Sequence, residues 1–216
     1  MMRTKTLILT AVLGAASVAA AVAQSVYSVN AVGFVNKTVK AGQFALLANP
    51  LNLPDNTLAA VLPDVPVNTK VYEYDAATGA FSIYTKRATG WTGTGAATAK
   101  LNPGEAFFIQ NVGTADFNVT FVGEVPQGTL TTPIAQGFSL IASQVPQAGT
   151  IQTQLGLPAQ TNDKAYLFVD GNYQIFTRRA SSWTGGTGEP AVGVADGFFY
   201  QAVAAGTWTR SFSVNQ

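Results

Sequence analysis

The chain of 216 residues contains no cysteine and no histidine, and only 11% of its residues are charged. Without cysteine it forms no disulfide, so its stability must come from packing and strand pairing. Without histidine it lacks the usual acid–base group at neutral pH, the common activator of a serine nucleophile, and the commonest metal ligand. These absences argue against an enzyme, and we expect no catalytic residue, no metal site and no cofactor.

The charged fraction is less than half of the usual value of about 25%. The surface must therefore consist mainly of Thr, Asn, Gln, Ser and Gly, which suits proteins that pack against polymers or against copies of themselves. The formal net charge is +1, and it becomes −1 without Arg3 and Lys5. Neither value suggests nucleic acid or an anionic membrane as a partner.

The first 23 residues have the pattern of an export signal. Arg3 and Lys5 form a short basic region, residues 7–13 form an apolar core, and residues 21–23 end a tract of small residues. Signal peptidase accepts such a small-x-small ending, whereas a transmembrane anchor would need a longer apolar core. We expect cleavage before Gln24, no transmembrane helix after cleavage, and a periplasmic, cell-surface or extracellular location.

The rest of the chain repeats one pattern, at residues 41–125 and 135–214, with matched positions about 91–94 residues apart. We divide the chain into a signal peptide (1–23), a first β-repeat unit with an N-terminal strand (24–128), and a second unit (129–216). Residues 126–133 are expected to form the linker. Whether the two units are separate or share one core stays open. The matched aromatic positions include Phe44 and Phe138, Tyr72 and Tyr166, Phe81 and Tyr173, Trp91 and Trp183, and Phe107 and Phe198.

Each copy has the pattern of a mostly β unit with one short helix. In the second copy the helix would begin at Thr150, with Ile151 and Leu155 on its apolar face. Each copy continues with a hairpin, which turns at residues 75–79 and 170–172, and alternating apolar residues flank both turns.

Two further strand patterns complete each copy. The continuous apolar runs at residues 106–109 and 197–200 are typical of strands buried on both faces. In the last strand of the second copy, Arg210 takes an inward position, so we expect that face to be only partly covered.

The predicted fold class is mainly β, with two tandem homologous β-sandwich or small-barrel units, each with one short helix. Short strands separated by Gly, Pro, Asn and Asp turns support this class. An outer-membrane barrel competes with it, but the strands of such a barrel would run about 9–11 residues, and these are mostly shorter.

Several carboxylates occur at matched positions, which favours structural roles over catalytic ones. Glu105 and Asp196 each precede a buried strand, where a hairpin arginine could pair with them. Asp75 and Asp170 lie in the hairpin turns, where we expect them to accept backbone hydrogen bonds. No pair of carboxylates suited to a glycosidase can be assigned from the sequence.

The best binding candidate is a basic pair followed by a tryptophan, which occurs in both copies. An indole on a Gly/Thr-rich loop could lie flat against a sugar ring while the basic groups bind hydroxyls. The alternative is that each tryptophan folds back over its own hairpin, with a basic side chain stacked on it. The candidate ligand-binding residues are Lys86, Arg87, Trp91, Arg178, Arg179 and Trp183.

One further similarity lies outside the main repeat: residues 26–30 resemble residues 212–215. We hypothesise that this N-terminal strand pairs along a sheet edge, in its own chain or in a neighbour. Chance similarity between common strand residues is the alternative.

Several sequence segments resemble those of a group of exported bacterial two-repeat β-proteins that has no established activity. The segments are FALLANPL (44–51), GEVPQG (123–128), FSLIASQVPQAG (138–149), GFFYQ (197–201) and VYSVNAVGFVN (26–36). The resemblance covers essentially all of the chain after the signal. It implies a secreted or envelope-associated protein, and it assigns no functional residue.

Together these patterns predict an exported, non-enzymatic structural or adhesive protein of the cell surface or extracellular matrix. The alternative is a carbohydrate-binding module that uses the two tryptophan loops. The expected partners are accordingly a polysaccharide or other copies of the same chain.

Overall fold

The computed structural model describes residues 31–214, and its fold is mainly β, with 51% strand and 2% helix. The proposed signal peptide and the N-terminal strand at residues 26–30 lie outside the described residues. The elements of the first part are β1 (Val32–Val39), β2 (Phe44–Ala48), α1 (Leu58–Val61), β3 (Lys70–Asp75), β4 (Ala80–Arg87), β5 (Gly90–Thr92), β6 (Ala106–Gln110) and β7 (Phe117–Glu124).

The second part of the described chain consists of strands and turns. Its strands are β8 (Gly128–Ile134), β9 (Gly137–Ala142), β10 (Gly149–Thr150), β11 (Lys164–Val169), β12 (Asn172–Arg178), β13 (Trp183–Thr184), β14 (Ala191–Val192), β15 (Gly197–Ala202) and β16 (Gly206–Phe212).

The expected linker at residues 126–133 is wrong, because most of it forms strand β8. Thr132 and Ile134 are buried and the residues between and before them are more exposed, which is the alternation of a half-buried strand. β8 pairs antiparallel with β16 along its whole length.

The expected second helix is also wrong, because residues 151–155 form turns. The Thr150 carbonyl accepts hydrogen bonds from the backbone N–H groups of Gln154 and Leu155. The carboxylate of Glu189 accepts the N–H groups of Gln152 and Thr153, so a distant side chain holds this turn. Gly156, in the left-handed region at φ 76°, then ends it.

Two five-stranded antiparallel sheets form the centre of the fold. Sheet 1 has the order β2-β6-β3-β4-β5, and sheet 2 has the order β9-β15-β11-β12-β13. In both sheets the predicted hairpin is present, and the predicted buried strand, β6 or β15, inserts between the hairpin and the first strand. Two-stranded ribbons, β1–β7 and β8–β16, accompany them.

Each five-stranded sheet buries one face in a core of its own. The core of sheet 1 includes Phe107 and Ile109 of β6 and Phe121 of β7. The core of sheet 2 includes Phe198 of β15 and Trp208 of β16. Alternate side chains along each strand point to opposite faces, so every strand also contributes side chains to the second face of its sheet.

Arg210 on β16 is half-buried, as predicted from its inward position. Its guanidinium donates to the side-chain oxygen of Gln147 and lies 5.5 Å from the ring centroid of Phe212. Burial lowers the pKa of Arg210.

The second faces of the two sheets meet in a third apolar cluster. Two backbone hydrogen bonds cross this junction: Ala48 N–H donates to the Ala195 carbonyl, and Ala142 N–H donates to the Gly104 carbonyl, each at 3.0 Å. The two halves are therefore neither separate nor built on one shared core, since two cores are joined by a third cluster. Its buried members are Leu46, Ala48, Ala106, Phe108, Leu140 and Ala142.

We expect Gly197→Ala to weaken this junction. A Cβ atom at Gly197 would overlap the Cβ atom of Ala106 and lie 3.3 Å from the Leu47 carbonyl oxygen. Overpacking of this kind costs about 1–3 kcal/mol, measurable as a lower free energy of unfolding in urea. Gly206→Ala, the same change on β16 with nothing within 4 Å of its Cβ position, is the control. Equal losses in the two variants would contradict the close approach.

Candidate functional site

The first predicted trio lies together at the β4–β5 corner of sheet 1. Lys86 and Trp91 are cross-strand partners, and the Lys86 ammonium lies 5.7 Å from the indole centroid. Lys86 also donates to the Pro63 carbonyl at 2.8 Å. Arg87 donates to the side-chain oxygen of Asn68 at 2.8 Å. The two basic groups therefore hold the loop that precedes β3.

The second trio lies at the equivalent corner of sheet 2. Arg178 and Trp183 are cross-strand partners, and Arg179 donates to the side-chain oxygen of Asn162 at 3.3 Å. Trp183 is buried, with 7% of its surface exposed, and its indole N–H donates to Gln152 at 3.0 Å. The structure thus assembles each trio but keeps the two trios in different sheets.

The two indoles differ in their surroundings. Trp91 is half-buried against the core of sheet 1, and its indole N–H has no hydrogen-bond partner among residues 31–214. Lys86 stacks on Trp91, which is the geometry of the scaffold alternative. Sugar binding by these loops stays a prediction.

The matched carboxylates lie near the junction between the sheets, but no hairpin arginine pairs with them. Asp196 forms an ion pair with Lys37 of β1, and it accepts the N–H of Gly193 at 3.0 Å. Glu105 accepts from the side-chain amide of Asn102 at 3.1 Å. The expected pairing with arginine is wrong. Each hairpin arginine lies at one end of its own sheet, and the carboxylate lies at the opposite end.

The carboxylate predicted to stabilise the first hairpin turn does so. Asp75 accepts from the Thr78 hydroxyl at 2.8 Å and from the Ala77 N–H at 2.9 Å. These two hydrogen bonds, the Thr78 bond first, lower the pKa of Asp75. In the second hairpin the Asp170 backbone is left-handed, at φ 49°, and its carbonyl accepts from the Asn172 side chain.

One cleft of about 390 Å³ is lined by three carboxylates, Glu73, Asp75 and Glu105. Burial raises the pKa of Glu73, the hydrogen bond from Tyr84 opposes that shift, and the charge of Glu105 adds to it. Burial, followed by the hydrogen bond to Glu73, raises the pKa of Tyr84 to about 12. Glu73 lies opposite Phe107 of β6, and Glu105 directly precedes β6. The sequence could not bring these acids together, because it does not show that β3 and β6 pair.

A continuous network of aromatic rings lies on the second faces of both sheets, and we call it the aromatic face. Neighbouring ring centroids lie 5.2–6.5 Å apart, a spacing at which rings attract one another. The ten rings are Phe44, Tyr72, Tyr74, Phe81, Phe108, Phe138, Tyr166, Phe168, Tyr173 and Phe199.

The middle of the aromatic face joins the two sheets. Phe108 of sheet 1 meets Phe168 of sheet 2 in a T-shaped contact at 5.3 Å, and Tyr74 of sheet 1 meets Phe199 of sheet 2 in the same way at 5.3 Å. Phe108 and Phe199 are 6.0 Å apart. Phe108 is buried, so rings at the centre are covered by rings of the other sheet.

The outer part of the aromatic face reaches solvent. A groove of about 350 Å³ crosses it, lined entirely by aromatic and aliphatic side chains. On the aromatic face two tyrosine hydroxyls are engaged in hydrogen bonds of 2.8 Å, Tyr72 to Gln110 and Tyr166 to Gln201. The groove residues are Tyr74, Phe138, Tyr166, Tyr173, Ile175 and Phe199.

Sequence reasoning missed this surface because alternating apolar positions predict the strands of a hairpin but not which of its faces is covered. The sequence shows apolar residues at alternate positions of both hairpin strands. Tyr72 and Tyr74 lie on β3, and Phe81 and Ile83 lie on β4. A second set of apolar residues, such as Val71 on β3, fills the core instead. A sheet with apolar residues on both faces was therefore the indication in the sequence that one apolar face lies outside the core.

Within residues 31–214, no helix is both long and apolar enough to cross a membrane. Comparison with known proteins finds no family model, no curated protein and no solved structure that matches the chain.

Proposed function

We propose that the chain consists of two tandem homologous sandwich-like units that arose by duplication. The equivalent strand orders of sheet 1 and sheet 2 support this proposal. So do the two hydrogen bonds across the junction, because Ala48 and Ala142 are matched donors while Ala195 and Gly104 are their acceptors. The junction thus has the form of a contact between two similar units related by an approximate twofold axis.

We further propose that this is an exported, non-enzymatic structural or adhesive protein of the cell surface or extracellular matrix. The observation that carries the proposal is the solvent-exposed part of the aromatic face. Monomeric soluble proteins rarely expose large contiguous apolar patches, and such patches are typical of interaction sites. The low fraction of charged residues in the chain, 11%, supports a role in packing against other macromolecules.

A carbohydrate-binding role for the two tryptophan loops has less support. Stacking on a sugar needs an open indole face, and Trp183 is buried with its N–H already bonded to Gln152. The buried N–H of Trp91 has no partner within the described residues 31–214, but Lys86 covers part of the Trp91 ring.

Cell fractionation tests the proposed role. A strain that expresses the full chain with a C-terminal tag is separated into cytoplasm, periplasm, detergent-extracted envelope, and culture medium with matrix. We expect the tagged chain in the envelope or matrix fraction, with a new N-terminus at Gln24. Its retention in the cytoplasm with residues 1–23 intact would overturn the proposal.

A further inference from the structure

We propose that the exposed part of the aromatic face docks a second copy of this chain, and this inference rests on the structural or adhesive role proposed above. Six large apolar side chains on this face are 38–50% exposed, three on each sheet. They occupy matched positions in the two sequence copies. They are Phe44, Phe81 and Ile83 on sheet 1, and Phe138, Tyr173 and Ile175 on sheet 2.

The exposed part of the aromatic face is continuous with the junction inside the chain, and this continuity indicates which partner it binds. The buried centre of the aromatic face already binds another surface of the same kind, through the Phe108–Phe168 and Tyr74–Phe199 contacts. The exposed rings extend that junction without a break, since Phe81 and Tyr173 lie 6.4 and 6.3 Å from Phe199. A partner with complementary rings at complementary spacing is therefore a second copy.

The polar groups of this face favour a protein over a polysaccharide. The hydroxyls of Tyr72 and Tyr166 already donate to Gln110 and Gln201, so they are not free donors for sugar hydroxyls. The groove contains no carboxylate, amide or basic side chain. The hydroxyls of Tyr74 and Tyr173 are the other polar groups of the groove lining. So few polar groups match an apolar partner, because a buried sugar hydroxyl without a hydrogen bond is costly.

The approximate twofold arrangement of the face fixes the kind of contact. Ile83 and Ile175 are matched positions with nearly equal exposure, 50% and 47%. Two copies can then meet with sheet 1 of each against sheet 2 of the other, which repeats the pairing made within one chain. Such an isologous contact closes on itself and gives a dimer.

Sedimentation velocity on the purified chain tests the dimer. We expect the wild-type chain to shift from monomer to dimer as its concentration rises through the micromolar range. The double variant Ile83→Glu, Ile175→Glu should remain monomeric over that range, because a charge buried without a partner opposes docking. Its melting temperature should stay close to that of the wild type, since both side chains are half exposed in the monomer.

A matched control carries the same charges elsewhere on the surface. Val122 and Val203 are exposed valines, at 52% and 44%, that lie outside the aromatic face, so Val122→Glu, Val203→Glu should dimerise like the wild type. A wild-type chain that stays monomeric, or an Ile83/Ile175 variant that dimerises normally, overturns the inference. If the wild-type chain and the control variant are retained on a polysaccharide and the Ile83/Ile175 variant is not, the face binds a sugar instead. A monomer still found in the envelope or matrix would leave the proposed function intact.

Discussion

Trp208→Ala is expected to lower the free energy of unfolding by about 3–5 kcal/mol, the usual cost of truncating a large buried aromatic side chain. Trp208 is 0% exposed, and its ring centroid lies 6.4 Å from that of Phe198. Its indole N–H donates to the Leu155 carbonyl at 2.9 Å. The substitution would open a cavity between β16 and sheet 2, and it would leave that carbonyl unpaired. Urea unfolding followed by circular dichroism measures the loss.

Two further variants separate the packing of Trp208 from its hydrogen bond. Trp208→Phe keeps an aromatic ring in the core but loses the N–H donor and part of the indole volume, so we expect a loss smaller than that of Trp208→Ala. Phe212→Ala truncates a half-buried ring on the same strand and should cost less than Trp208→Ala. A loss below about 1 kcal/mol for Trp208→Ala would mean that β16 does not close the core of sheet 2.

Local patterns predicted the hairpins and the buried strands correctly. The turn residues at Asp75 and Asp170 and the alternating positions around them specify β3–β4 and β11–β12, because turn chemistry and strand periodicity act over a few residues. The apolar run at residues 106–109 likewise predicted a strand covered on both faces, and β6 is buried from Ala106 to Ile109.

Elements held by distant partners could not be predicted in this way. β8 contains Pro133 and four Thr or Gly residues, so its composition resembles a linker, and only its pairing with β16 makes it a strand. The turn at residues 151–155 depends on Glu189, whose carboxylate accepts the N–H groups of Gln152 and Thr153 from outside the segment. Neither partner could be identified from the local sequence.

The aromatic face shows the same limit for the candidate site. The repeated tryptophan and basic residues were predicted to bind a ligand because the same trio occurs in both copies. In the structure Lys86, Arg87 and Arg179 hold loops of their own sheets. The exposed rings were not proposed as a site, because sequence alone does not say which of two apolar faces is covered.

Asp163 is a buried acid, 2% exposed, and no sequence pattern marked it as important. Its carboxylate accepts hydrogen bonds from the Tyr200 hydroxyl, from the Gln160 N–H at 2.7 Å and from the Val203 N–H at 2.8 Å. Burial, followed by the hydrogen bond to Asp163, raises the pKa of Tyr200. The matched position in the first copy is Thr69, so this anchor belongs to the second half alone.

Asp163→Ala is expected to lower the free energy of unfolding by about 3–5 kcal/mol, because each buried donor left without an acceptor costs about 1–3 kcal/mol. Tyr200→Phe removes only one of these donors and should cost about 1 kcal/mol in the wild-type background. In the Asp163→Ala background, Tyr200→Phe should cost nothing further, since the hydroxyl it removes is already unpaired. Urea unfolding of all four proteins in this double-mutant cycle measures the coupling. Strictly additive losses would show that the carboxylate and the hydroxyl act independently, and that β15 is held to the loop before β11 by packing alone.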